Sequence, residues 1–232
     1  MMRVYLVILY CLKNFTAAFD LMDILVANTD EMNLSKLRTN HFIINLNFPS
    51  IRYTKAYRKD DLMQQNEPIQ NILPPIVDEK TCVLIVGSMP GQQSLDKQQY
   101  YGNARNHFWP IIGEILQAEI PANYAERIQL LRANHIGLWD VIQSCERKGS
   151  LDSAIRNEVP NDFAKLFDQY PAIELVLFNG TKAFDVFKKR VGFELLAHRH
   201  YKKMPSTSPV PGKNIKSFEG KLADWRIIES YL

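Results

Sequence analysis

Two short, unbroken apolar runs constrain this chain more than any other feature. Residues 82–86 (Cys-Val-Leu-Ile-Val) end in Gly87, and residues 175–178 (Leu-Val-Leu-Phe) end in Asn179 and Gly180. A strand that is apolar on both sides has no face for water, so it belongs inside a sheet covered on both faces, the usual situation of a parallel one. Helical spacing appears between and beyond these runs, at residues 106–116, 124–133 and 162–170, with a terminal helix expected over 217–231. A further apolar run occupies 136–141, a last strand is expected at 200–204, and Thr181 is placed to cap the helix after the second run. This alternation predicts an α/β fold of three layers, α/β/α, around a central, mostly parallel four-stranded sheet. In such open sheets a ligand sits beyond the carboxyl ends of the strands, which singles out the loops at residues 87–91, 179–181 and 205–211.

The alternation begins only at Thr81. Residues 1–62 carry scattered apolar patches, such as 42–46, without a sustained period, and read as a weakly structured or dispensable extension. Residues 63–79, polar to Asn71 and then broken by Pro74 and Pro75, read as a linker, and 80–232 as the functional domain, able to fold from a start at Met63. A hydrophobic content of 46% with 23% charged residues excludes wholesale disorder. The net charge of +3, from 28 basic and 25 acidic residues, is too even to announce a nucleic-acid binder, so any basic site must be local. Cys11, Cys82 and Cys145 lie far apart with no Cys-x-x-Cys pair, which leaves no thiolate set for zinc or an iron–sulfur cluster. A reduced, cytoplasmic monomer without metal or other cofactor is expected. Arg3 before the apolar run at 4–12, with Ala17 and Ala18 beyond, has the outline of a secretory leader. Lys13 ends that run well short of the roughly 20 residues a membrane span needs.

The first strand-end loop is Gly87-Ser88-Met89-Pro90-Gly91, a sharp turn whose amides either point at a ligand or merely punctuate the chain. It has neither the Gly-Lys-Ser/Thr of a Walker loop nor the spacing of a dinucleotide fingerprint, which argues against nucleoside triphosphate chemistry. The stretch Tyr100-Tyr101-Gly102-Asn103-Ala104-Arg105-Asn106-His107-Phe108-Trp109 crowds aromatics and amides together. Phe108 and Trp109 suit a core, whereas adjacent tyrosines beside glycine and asparagine suit stacking on, and hydrogen bonding to, a planar base. Asparagine supplies both donor and acceptor without titrating.

Taken in order, these motifs resemble the uracil-DNA glycosylase superfamily, specifically its hypoxanthine-DNA glycosylase branch. The likeness continues through Gly137-Leu138-Trp139-Asp140-Val141, Cys145, Gly149-Ser150-Leu151-Asp152, Leu177-Phe178-Asn179-Gly180 and Pro205-Ser206-Thr207-Ser208-Pro209, and covers residues 80–231. It implies a monofunctional enzyme that flips a deaminated base out of DNA and hydrolyses its N-glycosidic bond, with hypoxanthine the expected base. Mismatch-specific relatives carry a catalytic asparagine where Met89 stands, and a thioether can neither orient nor polarise water. The resemblance moves that role to Asn106, gives base stacking to Tyr101, base-edge contacts to the 87–91 loop, and phosphate contacts to Ser206, Thr207 and Ser208. Ala104 stands where relatives commonly have proline, and Val210-Pro211 replaces the usual Ala-Asn, which leaves the duplex wedge unassigned. Uracil or xanthine as substrate, a non-catalytic DNA-binding module, and a nucleoside hydrolase are the alternatives.

Residues 195–218 contain no acid, while Arg199, Lys202, Lys203, Lys213 and Lys216, with His198 and His200, surround the Ser-Thr-Ser loop. A charge run is either a solvated face or a grip on phosphates, and the hydroxyls beside this one favour DNA. Lys202, Lys203 and Lys213 are the lysines expected on the backbone. Asn179 either reads the base edge or closes its turn. Trp139, Asp140, Cys82 and Cys145 take structural readings, and His107 is left as a possible phosphate contact.

Overall fold

The computed structural model describes residues 41–48, 51–58, 68–209 and 215–232. The leader-like start, Cys11, Met63, Val210, Pro211 and Lys213 lie outside the described residues. The chain divides into two units, Met1–Glu67 and Pro68–Leu232. In the first, strands β1 (His41–Phe48) and β2 (Ile51–Arg58) pair antiparallel, from His41 opposite Arg58 to Phe48 opposite Ile51. The adjacent Ile43 and Ile44 hide from sequence reading the alternation that Leu46 and Phe48 show.

The second unit holds the strands β3 (Ile69–Gln70), β4 (Val83–Gly87), β5 (Ile136–Asp140), β6 (Ile142–Glu146), β7 (Arg156–Pro160), β8 (Leu175–Asn179) and β9 (His200–Met204). Its helices are α1 (Gln92–Lys97), α2 (Phe108–Leu116), α3 (Tyr124–Ala133), α4 (Phe163–Gln169), α5 (Thr181–Val186) and α6 (Phe218–Trp225). The main sheet runs β5-β4-β8-β9 with every neighbouring pair parallel. A smaller antiparallel sheet, β3-β6-β7, has no counterpart in the sequence reading.

The two apolar runs behave as their composition requires. Successive side chains of a strand point to opposite faces, and here both faces are dry. Val83, Ile85, Leu175 and Leu177 join one core with Phe108, Ile111 and Ile112 of α2, Leu131 of α3 and Trp225 of α6. Leu84, Val86, Val176 and Phe178 join a second core with Phe163 and Phe167 of α4 and Ala183 and Val186 of α5. Three layers result. Each large side chain fully buried this way stabilises the fold by roughly 1.5–3 kcal/mol.

Helix starts follow capping chemistry. Asn123 accepts the Ala125 N–H, Asp162 that of Lys165, and Ser217 that of Gly220. Thr181 is a correction: it is the first residue of α5, and the cap position belongs to Gly180, whose φ of +95° disfavours any side chain. The terminal helix is shorter than expected, since α6 gives way to a 3-10 turn over Arg226–Tyr231. The stretch read as a linker is, from Pro68 on, built into the unit: β3 pairs with β6, Ile76 bridges Leu138, and Leu73, Ile76 and Val77 are buried. Among the described residues no helix is long and apolar enough to cross a membrane.

Candidate active site

The described residues of the three loops expected to converge do so. They line a cleft of about 790 Å³ at the carboxyl ends of β4, β8 and β9, joined by residues 150–153 and by Lys221 and Asp224 of α6. The first loop is fastened from outside. The Ser88 hydroxyl donates to Asp152 Oδ1 (2.8 Å), the Pro90 carbonyl accepts from Arg147 Nη2 (2.6 Å), and the Gln92 N–H donates to Ser150 Oγ (3.1 Å). The Gly91 carbonyl takes the N–H groups of Ser94 and Leu95 and so starts α1. Among the described residues the N–H groups of Met89 and Gly91 meet no protein acceptor, which leaves them for a ligand. The Met89 side chain is a different matter, being 6% exposed and packed in the second core.

The aromatic stretch divides its labour. Tyr100 is buried, and its hydroxyl donates to the Pro74 carbonyl (3.1 Å), so it anchors the domain edge. Tyr101 lines the cleft with a φ of +54°, an uncommon backbone for a bulky side chain. One face of its ring stacks on Phe108 (centroids 3.7 Å apart, planes 13° apart), and its hydroxyl accepts from Asn179 Nδ2 (3.0 Å). Burial pushes this phenol well above its usual range, so it stays neutral. Asn106 uses Oδ1 to accept the Phe108 N–H (2.9 Å) at the entry to α2, and its Nδ2 meets no acceptor among the described residues. That amide is therefore held rigidly, with two donors to spare on the cleft wall. His107 packs edge-on to Phe218 (5.5 Å), which takes it away from a phosphate role.

The last loop is clamped by Asn179. Its Nδ2 donates to Thr207 Oγ1 (2.9 Å) as well as to Tyr101, and its Oδ1 accepts the Thr207 N–H (2.9 Å). Closing the turn thus takes both amide donors and leaves only a lone pair of Oδ1 toward a base. Thr207 needs correction as a phosphate contact: it is fully buried, and its carbonyl also accepts the His107 N–H (3.0 Å). Ser206 is exposed and Ser208 half-buried, both on the cleft. Lys202 and Lys203 are exposed on β9, with Lys203 on the cleft and its ammonium 5.5 Å from the Phe184 ring. Arg199, counted in the basic footprint, is instead buried over the Phe167 ring at 4.4 Å.

Sequence reading gave no site role to several charged groups of the cleft wall, Lys221 and Asp140 among them. Lys221 is 2% exposed, donates to the Ser208 carbonyl (3.3 Å), and is held below the ordinary lysine range by burial. Nothing in its surroundings in the sequence distinguishes it from a solvated helix lysine. Asp140, a structural residue by its place in the sequence, ends β5 in register with Gly87 and lines the cleft. Burial raises its carboxyl to about 7, reinforced by Asp152 and opposed by a hydrogen bond from Asn71 and by the Arg147 charge. Asp152 lines the cleft too, and its carboxyl is also raised, by desolvation against the Ser88 hydroxyl bond, although the residue is exposed. A carboxyl at the end of an otherwise apolar strand is the signal that marks Asp140. Among the described residues no group of three potential ligands is placed to hold a metal ion.

The chain is similar in sequence and fold to known proteins. The family model of the uracil DNA glycosylase superfamily matches residues 74–228. A protein of Methanosarcina barkeri (strain Fusaro / DSM 804) named hypoxanthine DNA glycosylase is 38% identical over 155 residues, covering 66% of this chain and 92% of its own. A protein of the same name from Methanosarcina acetivorans is 36% identical over 163 residues, covering 69% and 98%. The solution NMR structure of a candidate uracil DNA glycosylase from Methanosarcina acetivorans superposes with a TM-score of 0.57 at 36% identity, covering 68% of this chain and 96% of its own.

Proposed function

The chain belongs to the uracil DNA glycosylase superfamily, and from that premise we propose that it removes hypoxanthine from deoxyinosine in DNA by hydrolysis, leaving an abasic site. The observation that carries this reading is the pairing of Tyr101, backed by Phe108, with the rigid Asn106 amide across one cleft. The two relatives named for hypoxanthine support the choice of base.

A base inside a duplex is out of reach, so the enzyme extrudes the nucleotide, and a mispaired base costs least to unpair. The free face of Tyr101 stacks on the flipped base, and the Met89 and Gly91 amides contact its edge. Breaking the glycosidic bond builds positive charge on the sugar and negative charge on the base. A preorganised amide near C1′ and donors around the base lower that barrier. Asn106 holds the attacking water or the sugar through its spare donors. Ser206, Ser208, Lys202, Lys203 and Lys213 contact the backbone on either side.

Hydrolysis needs no amine nucleophile. The cleft lysines have other partners: Lys216 pairs with Asp224, Lys221 holds the Ser208 carbonyl and Lys203 lies beside the Phe184 ring. Borohydride therefore traps no enzyme–DNA adduct, and strand breaks appear only after alkali. A trapped adduct would contradict the monofunctional mechanism. Uracil is the second reading, favoured by the name of the solved relative. Parallel release assays on deoxyinosine and deoxyuridine duplexes separate the two.

A further inference from the structure

Resting on the glycosylase reading, we propose that Asp140 is the acid of this site, handing a proton to the leaving purine from the carboxyl oxygen that lies against Gly87. A Cβ on residue 87 would stand 2.1 Å from Asp140 Oδ1, so glycine at this position leaves the space which that oxygen occupies. The other oxygen, Oδ2, is fixed by Asn71 Nδ2 (3.2 Å), while Oδ1 has no hydrogen-bond partner among the described residues. Both Asp140 and Gly87 line the cleft, and Asp140 is only 6% exposed. The carboxyl is thus held at one end and open to a ligand at the other.

Its neighbours favour the protonated form. No ion pair among the described residues includes Asp140. The charged groups acting on it are Asp152, from the turn after β6, and Arg147, whose Nη2 is committed to the Pro90 carbonyl. Asn71 faces it from the segment before β4, and Tyr100 and Tyr101, across the cleft, are neutral phenols. Burial outweighs the single cation, and the proton is held to about neutral pH.

The chemistry balances. As the C1′–N9 bond breaks, its electron pair stays with the purine. A ring nitrogen takes the proton of Asp140, and hypoxanthine leaves neutral. The water oxygen bonds to C1′, and the proton it sheds returns to the Asp140 carboxylate through solvent. A purine offers in-plane ring nitrogens to such an acid, whereas uracil in DNA offers only carbonyl oxygens, so the device favours purine release.

The test is single-turnover base release by the full chain from a duplex with one deoxyinosine, from about pH 5.5 to 8.5. Wild type is compared with Asp140→Asn and Asp140→Ala, together with thermal unfolding and affinity for uncleaved duplex. Wild-type release should be flat below neutrality and fall about tenfold per pH unit above it. Both variants should lose about a hundredfold or more at acid pH and bind DNA as before, with no fall above neutrality. Folded variants within about threefold of wild type, or a wild-type profile without a break near neutrality, would overturn the proposal. Should the variants fail to fold, the wild-type profile decides alone. Absence of any base release by wild type would instead overturn the glycosylase reading, and this inference with it.

Discussion

Asn106 carries two jobs on one amide, and they separate by substitution. Asn106→Asp keeps an acceptor for the Phe108 N–H but loses the free donors, so it should melt like wild type and lose base release by orders of magnitude. Asn106→Ala should lose the activity and also about 1 kcal/mol of stability, as the turn into α2 loses its bond. Thermal melts beside release assays check both, and an active Asp variant would remove Asn106 from the chemistry. Gly87→Ala tests the acid without touching it, since the new methyl displaces Asp140 Oδ1. Release from deoxyinosine should fall about as far as in Asp140→Ala. Residue positions were legible where chemistry and position coincide: the crowded 100–109 stretch puts Tyr101 and Asn106 on the cleft. They were not legible where burial decides. Thr207 resembles its serine neighbours by composition, and only the packed loop shows that its hydroxyl is spent on Asn179.

At the scale of elements, β8 and the last loop act as one piece through Asn179. Asn179→Ala strands the buried Thr207 N–H and hydroxyl without partners, at a cost of about 1–3 kcal/mol for each group. The variant should therefore melt several degrees lower and bind DNA more weakly, because Ser206 and Ser208 lose their fixed positions. An unchanged melting temperature would contradict the clamp. The apolar runs of β4 and β8 were readable because both faces are buried and no polar residue interrupts them. The β3-β6-β7 sheet was not, for physical reasons. β3 has two residues, β6 and β7 pair with register shifts, and β7 is mostly polar, so no period survives for a sequence to display.

Across the whole molecule two carboxyls shape stability against pH in opposite directions. Burial pushes Glu158 up, but hydrogen bonds from Lys182 and Arg190 outweigh it and hold the group at about 2. Its contribution is present above the unfolded carboxylate range and is lost as pH falls through about 2. Asp140 is raised to about 7, so the folded state holds a proton that the unfolded chain has released. Stability from this group therefore falls as pH rises from about 4 to 7. Asp140→Asn should remove that fall and be the more stable protein at pH 8 in denaturant titrations, by up to a few kcal/mol. Two-unit organisation carries its own expectation: a chain started at Met63 should melt with the full chain, since the two cores lie within Pro68–Leu232. The central claim is base release itself. Duplexes carrying one deoxyinosine, deoxyuridine or deoxyxanthosine, incubated with the full chain and with Asn106→Ala and then treated with alkali, test it most directly. The account predicts fastest release from deoxyinosine, lost in the variant. Preferred release from deoxyuridine, or binding without release from any of the three, would contradict it.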